Sequence, residues 1–228
     1  MSALVFLHGA GCTPEIFPAQ ISAFFGSIAL TFPGHGIPGS ASSIAEFADA
    51  VTADLEARGL HDVILCGFSM GAAVALELAL RQHPRIKGLA LMGAGARMRV
   101  APAILQGLAT DFESTSNVVA GYLFADPTPA RIKHAVSMLR LTGREQALRD
   151  FHACDKFDAM ERLGEIRLPV IAITGEKDAM TPPKFAQFLA DRIPGAKARI
   201  IPEAGHAVFM ERPDQVNEAL AAFVSDIS

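Results

Sequence analysis

A serine between two glycines is the feature of the sequence that most suggests chemistry. The segment GFSMG, residues 67–71, lies between an apolar run typical of a strand and one typical of a helix. A serine hydroxyl becomes a good nucleophile only when a base removes its proton, and the base is usually a histidine oriented by a carboxylate. Asp178 and His206 follow Ser69 in the order expected when a G-x-S-x-G turn presents the nucleophile. The sequence therefore predicts a catalytic triad of Ser69, Asp178 and His206.

The acid of this triad has one nearby rival. Glu176 lies two residues before Asp178, and the alternation of side chains points it elsewhere. No Asp or Glu occurs from residue 89 to residue 100, which excludes an acid placed after the fourth strand. Cys12 could be mistaken for a nucleophile, but no fixed base accompanies it in the sequence.

Hydrolysis by such a triad also needs N–H donors for the negative oxygen of a tetrahedral intermediate. The backbone N–H of Met70, at the start of the helix that follows the serine, is one candidate. The second donor should come from the loop after the first strand. There we expect the backbone N–H of Ala10 to serve, while His8 and His35 brace the loops through hydrogen bonds.

Six short apolar runs predict the strands that position these residues: Ala3–Leu7, Ile28–Phe32, Val63–Cys66, Gly88–Met92, Val170–Thr174 and Ala198–Ile201. Strand and helix patterns alternate, which predicts a mostly parallel sheet with helices on both faces. Ligands of such sheets bind at the carboxyl ends of the strands. The candidate residues follow these runs, so they should converge on one edge of the sheet.

About 75 residues between the fourth and fifth runs contain no convincing strand. Four segments of helical periodicity fill this stretch: Ala101–Phe112, Thr115–Phe124, Pro129–Leu141 and Arg144–Phe151. The stretch is too long for a loop. It predicts a helical lid, residues 96–167, above a core formed by residues 1–95 and 168–228.

Five short motifs together resemble the α/β-hydrolase superfamily over almost the whole chain. They are HG at residues 8–9, PGHG at 33–36, GFSMG at 67–71, GEKD at 175–178 and GH at 205–206. The resemblance implies an α/β-hydrolase fold, a six-stranded parallel sheet flanked by helices. Only seven residues precede the first motif, so we expect the family's N-terminal hairpin to be absent. The runs 28–32 and 198–201 should then lie at the two edges of the sheet.

The triad and the resemblance imply a serine hydrolase that cleaves a small to medium hydrophobic carboxylic ester through an acyl-enzyme intermediate. The same triad serves thioesterases, hydrolases of C–C bonds and perhydrolases. A small-molecule binding protein with a relic triad is a further alternative. We expect the lid to select acyl chains of about four to eight carbons without taking part in the chemistry. The residues expected to line the pocket are Phe68, Tyr122, Phe124, Met138 and Phe209.

Composition excludes several other classes of protein. Half of the 228 residues are apolar, which argues against a disordered chain. The net charge is −4 and no basic stripe is present, which argues against nucleic acid as a partner. No apolar run could span a bilayer, and the first residues read as a strand rather than a signal peptide. Three scattered cysteines favour a reducing, cytoplasmic location. Neither a metal nor a cofactor is expected, and the chain should be a monomer or a homodimer.

Overall fold

Six strands form one parallel sheet in the computed structural model, which describes residues 3–227. Their spatial order is β2-β1-β3-β4-β5-β6, and all neighbouring pairs are parallel. The predicted six-stranded parallel sheet is therefore confirmed, with β2 and β6 at its edges as expected. The strands are β1 (Ala3–Leu7), β2 (Ile28–Leu30), β3 (Val63–Phe68), β4 (Ile86–Met92), β5 (Val170–Gly175) and β6 (Lys197–Ile201).

Helices cover both faces of this sheet. Alternate residues of β1 face opposite sides, so Val5 and Leu7 belong to one apolar cluster and Leu4 and Phe6 to another. In the part of the chain that the structure describes, the helices are α1 (Pro18–Ala23), α2 (Ile44–Ala57), α3 (Met70–Leu80), α4 (Pro102–Thr110), α5 (Phe112–Tyr122), α6 (Pro129–Thr142), α7 (Arg144–Lys156), α8 (Pro183–Arg192), α9 (Val208–Glu211) and α10 (Pro213–Asp226). Two short 3-10 helices occupy Pro14–Ile16 and Met160–Glu165. None of the helices between residues 3 and 227 is long and apolar enough to cross a membrane.

Helices α4 to α7 fill the stretch between β4 and β5, where the sequence predicts a helical lid. These helices share a small apolar cluster of their own, and residues of α5 and α6 also join the cluster beneath them on the sheet. The side chain of Glu211 on α9 accepts hydrogen bonds from the backbone N–H groups of Ala125, Asp126 and Gly205. This carboxylate ties the α5–α6 connection to the loop after β6.

Some element boundaries differ from those expected. The predicted helix 101–112 ends at Thr110, and Phe112 instead begins α5. The reason is Asp111, whose side chain accepts a hydrogen bond from the Ser114 N–H at 3.3 Å and so caps a new helix. Strand β3 continues beyond the expected end at Cys66, because Gly67 still pairs with both neighbouring strands.

Candidate active site

Ser69 lies on a strained turn between β3 and α3. Its backbone has φ +51° and ψ −111°, a conformation that residues other than glycine rarely adopt. The Ser69 N–H donates to the Met92 carbonyl at 2.9 Å, and its carbonyl accepts from the N–H groups of Ala72 and Ala73. The hydroxyl is half-buried and makes no hydrogen bond within residues 3–227. The turn therefore presents an unpaired hydroxyl at the carboxyl end of the sheet.

The two glycines beside this serine allow strand and helix to come very close. A Cβ atom on Gly71 would run into the carbonyl of Leu7, and one on Gly67 would run into the backbone of Gly71 and Ala72. Both obstacles are backbone atoms, which cannot move aside as a flexible side chain can. Any larger residue at these positions would push α3 away from the sheet.

His206 and Asp178 meet in a buried pair. The Nδ1 atom of His206 lies 2.9 Å from Oδ2 of Asp178, and both side chains are almost completely buried. A carboxylate only accepts hydrogen bonds, so the proton of the neutral ring resides on Nδ1. This leaves the Nε2 atom of His206 as an acceptor. Nε2 is buried and has no hydrogen-bond partner among the described residues.

Hydrogen bonds hold Asp178 as a carboxylate. Burial by itself would raise its pKa, but His206 and the bonds from Thr181 outweigh that effect and lower the pKa below its ordinary value. The backbone N–H groups of Met180 and Thr181 both donate to Oδ1, and the Thr181 hydroxyl donates to Oδ2 at 2.8 Å. Sequence reasoning missed Thr181, although an Asp followed three residues later by Thr is a recognisable turn pattern. The rival Glu176 is exposed and accepts a hydrogen bond from the Glu203 N–H instead.

The two expected oxyanion donors lie beside Ser69. Met70 is the first residue of α3, and Ala10 belongs to the β1 loop (residues 8–12). Neither backbone N–H donates to any residue that the structure describes. Gly9 brings this loop against the nucleophile, since a Cβ atom there would lie 3.4 Å from the Cβ of Ser69. Ala10 and Ser69 line the same cavity, and unpaired N–H groups near a nucleophile suit a developing negative oxygen.

His8 braces the loops, as the sequence predicts. Its Nε2 accepts a hydrogen bond from the Phe32 N–H, and its Nδ1 lies 3.0 Å from the Gly9 carbonyl. Burial, together with the neighbouring His35, lowers the pKa of His8 to about 3, so the ring is neutral at physiological pH. Burial and the nearby Asp150 raise the pKa of Cys12 to about 12, which keeps its thiol protonated and a poor nucleophile.

An apolar cavity of about 20 Å³ lies between Ser69, His206 and helices α5 to α7. The pocket residues expected from the sequence include Phe68 of its wall but none of the residues from 119 to 151 that line it. The lining side chains contributed by the lid are Val119, Leu123, Ala135, Leu139 and Phe151. A space of this size holds about one water molecule. A substrate acyl group can therefore enter only when these side chains move.

Four of the residues expected to line the pocket do not border this cavity. Tyr122 is 52% exposed at the end of α5, where the next residue, Leu123, turns inward instead. Met138 is buried in the sheet-side cluster, because its neighbour Leu139 occupies the position on α6 that faces the cavity. Phe124 is buried in the same cluster. Phe209 packs beneath Phe68 with the ring centroids 4.9 Å apart, so it supports the wall without forming it.

Comparisons with known proteins identify the family and the fold. The sequence profile of the Alpha/beta hydrolase family matches residues 4–219. A pimeloyl-[acyl-carrier protein] methyl ester esterase of Neisseria meningitidis is 28% identical over 242 residues, covering 96% of this chain and 90% of that protein. A protein of the same name from Aromatoleum aromaticum is 26% identical and covers 98% of this chain and 97% of its own length. The solved structure of a thermophilic esterase, 30% identical, has a TM-score of 0.90 and covers 99% of this chain and 90% of that one.

Proposed function

Since this chain belongs to the alpha/beta hydrolase family and is an ester-hydrolysing enzyme, we propose that Ser69, His206 and Asp178 carry out the hydrolysis. One observation carries the proposal. His206 borders the same cavity as Ser69, and its Nε2 has no partner among residues 3–227. Nδ1 of the same ring is held by Asp178, so Nε2 is the nitrogen that remains available to act as a base.

The reaction then proceeds through an acyl-enzyme. Nε2 of His206 takes the proton of the Ser69 hydroxyl while the serine oxygen attacks the ester carbonyl. Asp178 stabilises the imidazolium that forms. The protonated ring gives its proton to the leaving alcohol, and the acyl group stays on the serine. A water molecule, activated by the same nitrogen, hydrolyses this second ester and frees the acid.

The N–H groups of Ala10 and Met70 are proposed to stabilise the tetrahedral intermediates of both steps. They are fixed before the substrate arrives, Met70 by the start of α3 and Ala10 by the turn of the β1 loop. Fixed donors need no reorganisation as the charge develops, and losing one such donor typically costs about 10²–10³ in kcat.

The proposed substrate is a hydrophobic ester of small to medium size. Apolar side chains of the lid face the nucleophile across the cavity, among them Leu123 and Leu139. We propose that residues 96–167 act as a lid over a core of residues 1–95 and 168–228, and that acyl chains of about four to eight carbons fit once the lid yields. The relatives from Neisseria and Aromatoleum are named for a methyl ester, so methyl esters belong in any substrate panel.

A cytoplasmic location is proposed as well. Cys12, Cys66 and Cys154 are all buried free thiols, as is usual in a reducing compartment. Whether the chain is a monomer or a homodimer stays a prediction.

Labelling with a fluorophosphonate, combined with hydrolysis of p-nitrophenyl esters, tests the proposed function. Ser69→Ala should abolish labelling and reduce turnover by roughly 10³-fold or more, because triad members act as a unit. His206→Ala should do the same. Ser137→Ala is the matched control, since it removes an exposed hydroxyl of α6. Near-normal hydrolysis by Ser69→Ala would end the proposal.

The same preparation separates the alternative activities. Acyl-CoA thioesters, tested beside oxygen esters of equal chain length, distinguish a thioesterase from an esterase. If the protein only binds small molecules and its triad is a relic, no label should be incorporated. If it is an active serine hydrolase, Ser69 should be labelled.

A further inference from the structure

One carboxylate of the lid reaches down to the loops of the core. Asp150 lies on α7 and its side chain is fully buried. Its Oδ2 atom accepts a hydrogen bond from the Gly11 N–H at 2.9 Å and lies 2.8 Å from Nε2 of His35. Its Oδ1 atom accepts a hydrogen bond from Nε2 of Gln146 at 2.9 Å. The contacts with residues 11 and 35 join segments more than 100 positions apart in the sequence.

His35 is a second partner of the same Asp150 oxygen. Its Nε2 faces Asp150, and its Nδ1 lies 3.0 Å from the Pro33 carbonyl, so both ring nitrogens face acceptor oxygens. The ring therefore lies between the loop after β2 and the carboxylate of α7. Both oxygens of Asp150 have hydrogen-bond partners although the side chain is fully buried, as is usual for buried polar groups.

The Gly11 N–H belongs to the turn that presents the proposed oxyanion donor. The Cys12 N–H donates to the Gly9 carbonyl at 3.2 Å, which closes a four-residue turn with Ala10 and Gly11 at its centre. Gly11 has φ +63°, a backbone value that suits glycine at the third position of a turn. Asp150 is the partner of the central N–H of this turn, one residue after Ala10. A side chain of α7 therefore holds the turn that contains Ala10.

We infer that Asp150 is a positioning residue for the reaction: it anchors the β1 loop so that the Ala10 N–H meets the developing oxyanion. The inference rests on the proposed function of Ser69 and Ala10. It also changes the expected role of the lid, which then contributes to the chemical step as well as to substrate fit. Small displacements of a donor matter here, since a shift of about 1 Å can cost on the order of 10² in rate.

The test compares two carboxylates of the same helix. Asp150→Ala removes the anchor, and Asp155→Ala removes a carboxylate that accepts the Val100 N–H at 2.9 Å, away from the cavity. Asp150→Ala should lower kcat by roughly 10- to 100-fold with KM changed by less than about threefold. Its affinity for a trifluoromethyl ketone, which mimics the tetrahedral intermediate, should fall in parallel. Asp155→Ala should retain the wild-type kcat whatever its stability.

Asp150→Asn provides the rescue, because its amide oxygen can still accept the Gly11 N–H; kcat should return to within a few-fold of wild type. If Asp150→Ala does not fold, Asp150→Ser replaces it with the same expectation. A wild-type kcat and inhibitor affinity in the Ala or Ser variant would overturn the inference, as would equal losses in the Asp150 and Asp155 variants. Full activity in Ser69→Ala would instead overturn the proposed function, so the two failures are distinguishable.

Discussion

Replacing Ser69 with glycine should make the protein more stable while it abolishes ester hydrolysis. The backbone of Ser69 has φ +51° and ψ −111°. Hydrogen bonds hold it there, because its N–H donates to a carbonyl of β4 and its own carbonyl accepts from two N–H groups of α3. A side chain in such a conformation costs about 1–3 kcal/mol, whereas glycine adopts it freely. The hydroxyl makes no hydrogen bond to a described residue, so its removal loses little.

The size of the gain follows from two opposing contributions. Relief of the strain stabilises the folded protein by about 1–3 kcal/mol. The greater freedom of glycine in the unfolded chain takes back about 0.5–1 kcal/mol. The net gain should be about 1 kcal/mol, which for a chain of 228 residues corresponds to about 2–4 °C in Tm.

Ser69→Ala is the matched comparison, because alanine lacks the hydroxyl but keeps the strained Cβ atom. Its stability should stay within about 0.5 kcal/mol of wild type. Thermal and urea unfolding, followed by circular dichroism, measure the difference between the two variants, and p-nitrophenyl butyrate hydrolysis confirms that both are inactive. If the glycine variant is no more stable than the alanine variant, the turn is not strained and the reasoning is wrong.

Three further predictions use the packing around the site. Gly71→Ala should lower the free energy of unfolding by about 3 kcal/mol or more, because the new Cβ atom meets the backbone of β1. In the control Gly121→Ala on α5, the new Cβ atom meets open space, so urea unfolding should show an unchanged or increased stability. The pKa of His8 is 6.5 in the unfolded chain but about 3 in the folded protein. The free energy of unfolding should therefore fall by up to about 1.4 kcal/mol per pH unit as the pH drops from 6.5 to 3. His8→Asn should weaken this pH dependence. Leu139→Ala should move the preferred acyl chain longer by roughly three carbons, the number that the truncation removes. Met138 is buried but does not line the cavity, so Met138→Ala should lower stability without changing the preferred chain length. An equal shift in both variants would contradict the assignment of Leu139 to the cavity wall.

The sequence by itself determined the sheet and the order of the candidate triad. Most strands are short apolar runs with a glycine within a few positions, and each candidate residue follows a strand closely. The need for Gly67 is local, since a Cβ atom there would meet the backbone of the first turn of α3, whereas Gly71 is needed because β1 lies against it. The parallel order then brings Ser69, Asp178 and His206 to one edge because all strands end there.

Tertiary structure alone decided which lid residues reach the site. Tyr122 and Leu123 are neighbours in the sequence, yet one is half exposed and the other lines the cavity. Consecutive residues of a helix point about 100° apart, so a small rotation of α5 or α6 exchanges lining and buried residues. Periodicity shows that a helix has an apolar face, but not how that face is turned above Ser69.

The contact of Asp150 with the β1 loop shows the same limit more strongly. In the sequence, Asp150 is one of several charged residues in an amphipathic segment. Its burial results from the docking of α7 against two loops that lie more than 100 residues earlier. Such a contact depends on the packing of whole elements, and no pattern within α7 encodes it.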